Sequence, residues 1–551
     1  MFHSLKICLK IFSKRVAGLF HYLLDFKIVL ISIMYIIFNI FGIPILRNIE
    51  HDIPIRLIFA ISLIPLTLYL GTKVLRNIWA NSSGTKKVKR ERGKLLLFFS
   101  FLTIVVLTGI FVMLRLQLVI RQERVNENIA VSFTEEFGDF EGMVVSEIKE
   151  KYTYNTMEVK PTLDITIGDT VLKKGSQKFL IKIKKYQSPM IEEVCNIKGL
   201  FKVPENFEDF NYQDYLKNNN IYLLMEFPEI ECSREGTKLN LQNILVSFKQ
   251  NLNKIITENL KEPQSSLMMG IIFGQERLFS ENFEGNIRMA GVSHIVAASG
   301  YNITILILAG SKLLKFLPLK IRLLFLLLLI WSFCILAGLS PSIVRACIMT
   351  TIALIAMVLG KKNTIHVTLP LAAFIFVLID PKIVFNVGFQ LSVVATLGLV
   401  YLQPALSSMW KKVFKKTNSF IEDTFLTTLS CTLVTLPITI YTFGTVSIWA
   451  VIANCLVLPV VASTMFLGVF GLITSNLFHL LSIILFEISN VQLKYFELVV
   501  NLIGNFEWGY WELEKVGVAM PIVTSVLMIL LCIYFYPVED EHNNYYFKIS
   551  D

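Results

Sequence analysis

Leu323-Leu-Phe-Leu-Leu-Leu-Leu-Ile-Trp-Ser-Phe-Cys-Ile-Leu336 contains no charged residue and follows closely on Lys320 and Arg322. An apolar helix of about 20 residues matches the roughly 30 Å hydrocarbon core of a bilayer, whereas a helix in a soluble core shows a polar face every few residues. Outward from this stretch, uncharged apolar runs and short basic clusters keep alternating, and the last such run is Ser525–Tyr536. Of 551 residues, 54% are hydrophobic and 17% charged; soluble domains carry about 25% charged residues. The chain lacks the polar surface that a soluble all-helical protein of this length requires, and it reads as a polytopic α-helical membrane protein. Its first apolar run follows a basic start (Lys6, Lys10, Lys14, Arg15) and has no small-residue cleavage site, which predicts a retained anchor.

Lys and Arg accumulate in the cytoplasmic loops of membrane proteins. Spans predicted near 28–46 and 56–76 lead to the strongest basic run, Lys86 to Lys94, which places the N-terminus inside. A third span, about 94–118, then delivers a polar block, Gln122–Glu262, to the outside. Beyond it, basic clusters at 312–322, 361–362 and 411–416 are each separated by two apolar spans, and the intervening turns are poor in basic residues. About twelve transmembrane helices with both termini cytoplasmic are predicted. The expected divisions are N-terminal helices at 1–120, an inserted extracytoplasmic β-rich domain at 121–236, an amphipathic connecting helix at 237–262, a transmembrane domain at 263–537 and an acidic cytoplasmic tail at 538–551.

Within the polar block, Phe179–Lys185 and Leu163–Ile167 alternate with the period of a strand. The block carries slightly fewer basic than acidic side chains, so it is no bulk electrostatic trap for nucleic acid. Its one local basic stripe, Lys173, Lys174, Lys182, Lys184 and Lys185, is either a binding groove or a solvated strand face. The helical spacing from Leu241 to Ile256 fits either a membrane-surface helix or a cap on the domain. Cys195 and Cys232 are either a disulfide, as an oxidising compartment favours, or two free thiols. No two of the seven histidines lie within five residues of each other, and there is no GxxxxGK[ST] loop. The sequence therefore predicts no metal, no cofactor, and neither nuclease nor ATPase activity.

Polar groups inside membrane spans face a bundle interior or a cavity, and four stretches carry them. Gly291-Val-Ser-His-Ile-Val-Ala-Ala-Ser-Gly-Tyr-Asn302 brings His294, Ser299, Gly300 and Asn302 into a span. In Leu339-Ser-Pro-Ser-Ile-Val-Arg-Ala-Cys347, Ser340 or Ser342 is positioned to cap a helix beginning at Pro341. Arg345 then lies one turn into that span, where it either snorkels to the surface or contacts phosphate in a pore. Asp380 is placed to cap a short helix with Pro381 at its first position, and Gln390, Ser392 and Thr396 follow along the next span. Asn454 precedes Pro459, which is expected to break or kink its helix.

These stretches carry a resemblance. Phe273–Phe279, then GVSHIVAASG, SPSIVRACIM, DPKIVFNVGFQLSVVAT and the segment Leu436–Pro459 resemble, in order, the ComEC family of competence proteins, the membrane channels through which bacteria import transforming DNA. Phe207–Tyr222 resembles the segment that closes that family's N-terminal domain, which implies an OB-like fold for the block. The resemblance implies a site in the bacterial cytoplasmic membrane and single-stranded DNA as substrate. It also implies a DNA receptor outside and a helicase-like ATPase inside. Many relatives have Leu-His where this chain has Tyr301-Asn302, so no histidine role carries over there. Many also end in a metallo-β-lactamase-like domain, where this chain has a short acidic tail (Glu539, Asp540, Glu541); a separate nuclease is expected to supply any strand degradation.

The expected function is a DNA-uptake channel. The rivals are a transporter of another solute or polymer, built from similarly broken helices, a structural partner protein, and an intramembrane enzyme using His294 and Ser299. The last pair is five residues apart, which rotates the two side chains roughly 140° from each other on a helix.

Overall fold

A computed structural model describes residues 86–513, apart from short stretches at 151–152, 168–169, 188, 207–211, 234–240, 275–278, 297–299, 359–364 and 414–419, with further positions between 32 and 40. The spans predicted at 28–46 and 56–76, the run Ser525–Tyr536 and the acidic tail lie outside the described residues or at best partly within them. Helix α1 (Lys86–Phe133) leads into strands β1 (Phe137–Val144), β2 (Lys149–Glu150), β3 (Asn155–Pro161), β4 (Ile165–Ile167), β5 (Thr170–Leu172), β6 (Lys178–Ile183) and β7 (Val194–Lys202). Helix α2 (Tyr212–Asn218), β8 (Ile221–Glu226) and β9 (Glu229–Ser233) complete the β region. Helices follow: α3 (Leu241–Asn259), α4 (Gln264–Phe273), α5 (Glu281–Met289), α6 (Ser293–Val296), α7 (Gly300–Leu313), α8 (Leu319–Leu336), α9 (Pro341–Val358) and α10 (Ile365–Ile379). After a 3₁₀ turn at Pro381–Phe385 come α11 (Val387–Leu397), a π-helical segment at Gly398–Leu402, α12 (Gln403–Val413), α13 (Phe420–Phe443), α14 (Ala450–Thr474) and α15 (His479–Gly504).

The chain divides into two compact units, Met1–Asn128 with Thr364–Asn386, and Ile129–Asn363 with Val387–Asp551. Residues 364–386, inside the segment 263–537 expected as a transmembrane domain, thus group with the N-terminal residues. The physical reason lies on α1. Arg115 donates through Nη1 to Val377 O (3.0 Å) and through Nη2 to Ile379 O (2.9 Å), so it takes the free carbonyls at the end of α10. It also donates to the Tyr35 hydroxyl at 2.7 Å. Two turns along, Glu123 accepts an ion pair from Lys382 at 2.7 Å, with both side chains only 8% exposed. The Asp380 cap is present: its Oδ1 accepts from Lys382 N at 2.9 Å and Pro381 opens the 3₁₀ turn. Helix α1 runs past the predicted end of the third span near 118. Arg121–Phe133 contains no helix breaker, and α1 continues until Glu135 takes a positive φ of 65°.

In the second unit, β1, β3, β6, β8 and β7 form a closed barrel. β1 pairs antiparallel with both β3 and β7, and β6 pairs parallel with β8. This is a five-strand barrel with crossed order, as an OB-like domain requires. The strand alternation places Phe140, Phe179 and Phe201 inside, where they pack on Phe133 at the end of α1. β9 extends the sheet beside β7, and the register sets Cys195 opposite Cys232, which form a disulfide. Lys249 of α3 pairs with Glu147 of the barrel at 2.8 Å.

The helical part of this unit is built around α4, whose ten residues are all buried. It is too short to cross a bilayer and instead fills the bundle. Gly468 of α14 lets Met268 approach, since a Cβ there would meet its Sδ at 2.5 Å. Among the described residues, five helical segments are long and apolar enough to cross a membrane: Leu319–Leu336, Pro341–Val358, Val387–Lys411, Glu422–Phe443 and Ala450–Thr474. Leu324, Phe325 and Leu328 of α8 are exposed on its outer side, the surface a bilayer would cover. α14 runs through Pro459 without interruption, so of the expected break or kink the break is absent; proline is tolerated inside membrane helices where neighbouring groups can satisfy the freed carbonyl.

Candidate functional site

The motif residues converge because loop chemistry and small side chains allow it. Helix α5 ends in a Schellman turn: Val292 N donates to Ile287 O and Gly291 N to Arg288 O, with Gly291 at φ +70°. A Cβ at Gly291 would lie 2.5 Å from the Ala450 Cβ, so this glycine also lets the start of α14 close in. Ser447 fastens the same corner by donating to Met289 O. At the head of α7, Gly300 faces Ala346 of α9, with 3.4 Å from its would-be Cβ to the Ala346 Cβ. Three of the motif stretches are thus brought against one another by Gly291, Gly300 and Ser447.

Between α9 and α11 runs a polar seam. The Ser342 and Ser392 hydroxyls are 3.2 Å apart, and Arg345 Nη1 donates to Thr396 Oγ1 at 2.6 Å. Thr396 passes its own hydrogen to Ser392 O at 2.9 Å. Arg345 is 7% exposed, so it does not snorkel. Among the described residues no carboxylate pairs with it, and its Nε is buried without a partner. The expected side-chain cap is absent: Ser340 Oγ, just before Pro341, is buried and unpartnered, and Ser342 turns to Ser392 instead. The seam ends immediately before the π-helical segment, a geometry found mostly as local bulges near functional sites.

The other candidates divide. Asn302 is buried and donates to Ile271 O at 2.8 Å, so it closes the end of α4 rather than facing open space. Asn454 is buried, with Oδ1 unpartnered among the described residues. Gln390 is half-buried on α11 and His294 is exposed on α6, while Ser299 lies outside the described residues. Asp380 belongs to the first unit. Sequence reasoning missed the polar pairs of α15: Gln492 with Thr464 (2.8 Å), Glu497 with Gln264 (2.5 Å) and Asn501 with Asn286 (3.0 Å). It also missed Glu123–Lys382. Gln492, Glu497 and Asn501, four to five positions apart in the largely apolar α15, were the available signal.

On the barrel, aromatic and basic side chains pair. Tyr154 and Phe227 meet edge to face at 6.2 Å, and Lys182 lies 5.3 Å from the Tyr154 ring centre. Lys184 lies 5.9 Å from the ring of Tyr186, which is 76% exposed. Phe227 is half exposed and holds φ +50°, a conformation rare for a bulky residue. Tyr212 and Tyr215 of α2 stack at 6.3 Å, and burial pushes the Tyr212 phenol up, with Tyr154 and Tyr215 adding to the shift. Glu226 accepts from both Lys182 and Lys202, which hold its carboxyl down at about 2. Lys173 and Lys174 lie at the end of the β4–β5 hairpin, where Lys174 N donates to Asp164. The predicted lysine stripe thus spans the end of a hairpin and the strand β6, which presents Lys182 outward because its alternate residues Phe179, Ile181 and Ile183 fill the core.

Residues 271–538 match the family described as Competence protein. Over these residues, just under half of the chain, it is similar to the competence proteins of the ComEC family. It is similar to ComE operon protein 3 of Bacillus subtilis (strain 168), at 25% identity over 280 residues, which are 48% of this chain and 34% of that protein. The chain thus spans about a third of the length of the curated relative it matches. No solved structure matches. The matched region holds the whole α9–α11 seam and the corner at Gly291, while α1 and the barrel precede it.

Proposed function

We propose that this protein conducts single-stranded DNA across the bacterial cytoplasmic membrane during DNA uptake, with the barrel outside and both termini in the cytoplasm. The observation that carries this reading is the pairing of aromatic with basic side chains on the barrel, Lys182 beside Tyr154 and Phe227, and Lys184 beside Tyr186. Single strands are held by aromatic platforms that stack on bases and by cations that follow the backbone, and OB folds bind oligonucleotides on the face of their second and third strands. Here those strands are β3 and β6; β6 carries Lys182, and Lys184 follows its last residue, Ile183. The Cys195–Cys232 disulfide suits an oxidising, extracytoplasmic setting. The helical unit supplies buried polar groups along its spans for the membrane passage. Energy and strand processing come from partners: a receptor outside, a helicase-like ATPase inside and a separate nuclease. The protein itself performs no hydrolysis.

The test is import of fluorescent DNA into the nuclease-protected cytoplasm of a deletion strain complemented with wild type or with Tyr154→Ala/Phe227→Ala at equal membrane abundance. Loss of import on deletion, restored by wild type and at least tenfold weaker with the double variant, is the expected result. Unchanged import in the deletion strain refutes the conduit; full restoration by the double variant removes the barrel face from it.

A further inference from the structure

A buried guanidinium without a counter-ion is expensive, because removing an ion from water costs several kcal/mol unless an opposite charge or several hydrogen bonds replace the lost hydration. Arg345 is 93% buried by its 7% exposure, yet it has one hydrogen-bond acceptor, the Thr396 hydroxyl. Its Nε points at nothing, and among the described residues no Asp or Glu answers its charge. Ser340 Oγ, at the mouth of the same helix, is likewise buried and unpartnered. Arg345 lies in the second turn of the 18-residue helix α9, which Ser340 immediately precedes, near the end where the helix dipole adds positive potential. Five guanidinium donors in a planar fork match the oxygens of phosphate. A neutral amide would satisfy Thr396 equally well, so the hydrogen bond to Thr396 alone does not account for an arginine here.

We propose that Arg345 is a phosphodiester site within the helical part of the second unit, and that it holds the backbone of the passing strand. This rests on the conduit reading above. Thr396 positions the guanidinium by fixing Nη1, leaving Nε and the remaining donors to the ligand. A phospholipid headgroup presents the same chemistry, so the test must separate the two sources.

The experiment uses the deletion strain complemented with full-length wild type, Arg345→Lys or Arg345→Gln at matched membrane abundance. Donor DNA carries either ordinary linkages or an internal block of uncharged methylphosphonate linkages. A charge-assisted hydrogen bond is worth roughly 1.5–3 kcal/mol, so Arg345→Gln should slow import of ordinary DNA by about tenfold or more while DNA bound at the cell surface stays constant. Wild type should import the methylphosphonate donor more slowly than the ordinary one. That ratio should shrink toward one in Arg345→Gln and persist in part in Arg345→Lys. A ratio unchanged from wild type in Arg345→Gln, even with slower import, makes Arg345 structural and overturns the proposal. So does a wild-type protein indifferent to the methylphosphonate block, the result expected if a lipid headgroup occupies the site. Import surviving in the uncomplemented strain would instead refute the conduit itself.

Discussion

Replacing Lys382 with Met should destabilise the protein far more than replacing Lys382 and Glu123 together. The pair is 2.7 Å apart and both side chains are 8% exposed. At that separation the attraction is about 6 kcal/mol for an effective dielectric of about 20, and it is opposed by several kcal/mol of desolvation for each ion. The two nearly cancel while the pair is intact. Removing one partner leaves the other's desolvation unanswered, at about 3–5 kcal/mol, whereas replacing both by apolar groups is often neutral. For a unit of this size, about 2–4 °C per kcal/mol converts the single loss to a fall of order 10 °C. Thermal unfolding of the full-length protein in detergent, followed by intrinsic fluorescence, would compare Lys382→Met, Glu123→Met, the double variant and the exchanged pair Glu123→Lys/Lys382→Glu. Large losses in both single variants and recovery in the double variant are expected. Double-variant losses equal to the sum of the single losses would refute the account, because additivity means that the two groups do not interact.

Three further outcomes follow from the geometry. Replacing Cys195 and Cys232 with Ser opens a link between residues 37 apart, which should cost roughly 3–4 kcal/mol in the chain-entropy treatment; urea unfolding of the full protein with and without reductant measures it. Glu226 has its carboxyl held near 2 by Lys182 and Lys202, so its contribution is complete above its ordinary range near 4.5 and is lost as pH falls toward 2. Because the side chain is about a third exposed, the loss should be at most about 1 kcal/mol, and Glu226→Gln should flatten stability between pH 5 and 2 in a pH-dependent melting series. Gly291→Ala must place a methyl against Ala450 at positive φ, and it should lower the melting temperature by the equivalent of about 1–3 kcal/mol; a melting point equal to wild type would show that the corner has room.

How far the sequence can be read depends on the distance over which each signal acts. The apolar run ending at Leu336, the Asp380-Pro381 cap and the alternation at Phe179–Ile183 are local, and each appears in the structure where its pattern put it. Arg345 stood out as a charge in an apolar span, but its partner Thr396 is 51 residues away, and no local rule selects it from the other hydroxyls. The assignment of 364–386 to the N-terminal unit was illegible for the same reason: Arg115 and Glu123 look like ordinary polar positions until α10 is placed beside them. The lysine stripe Lys173–Lys185 spans a hairpin end and a strand, which its closeness in sequence did not reveal. Asn302 looked like a pore group and proved to be the stopper of a helix end.

The pairing of α1 with residues 364–386 also imposes a timetable on synthesis. Arg115 leaves the ribosome 262 residues before its acceptor at Val377, and at about 5–20 residues per second that interval is tens of seconds. Throughout it, a cation and a carboxylate on α1 must wait for their partners, while the barrel and helices α3 to α9 are made in between. The nascent chain is therefore exposed to membrane quality control at a defined window, and a pause or truncation before residue 364 leaves an N-terminal unit that cannot finish folding.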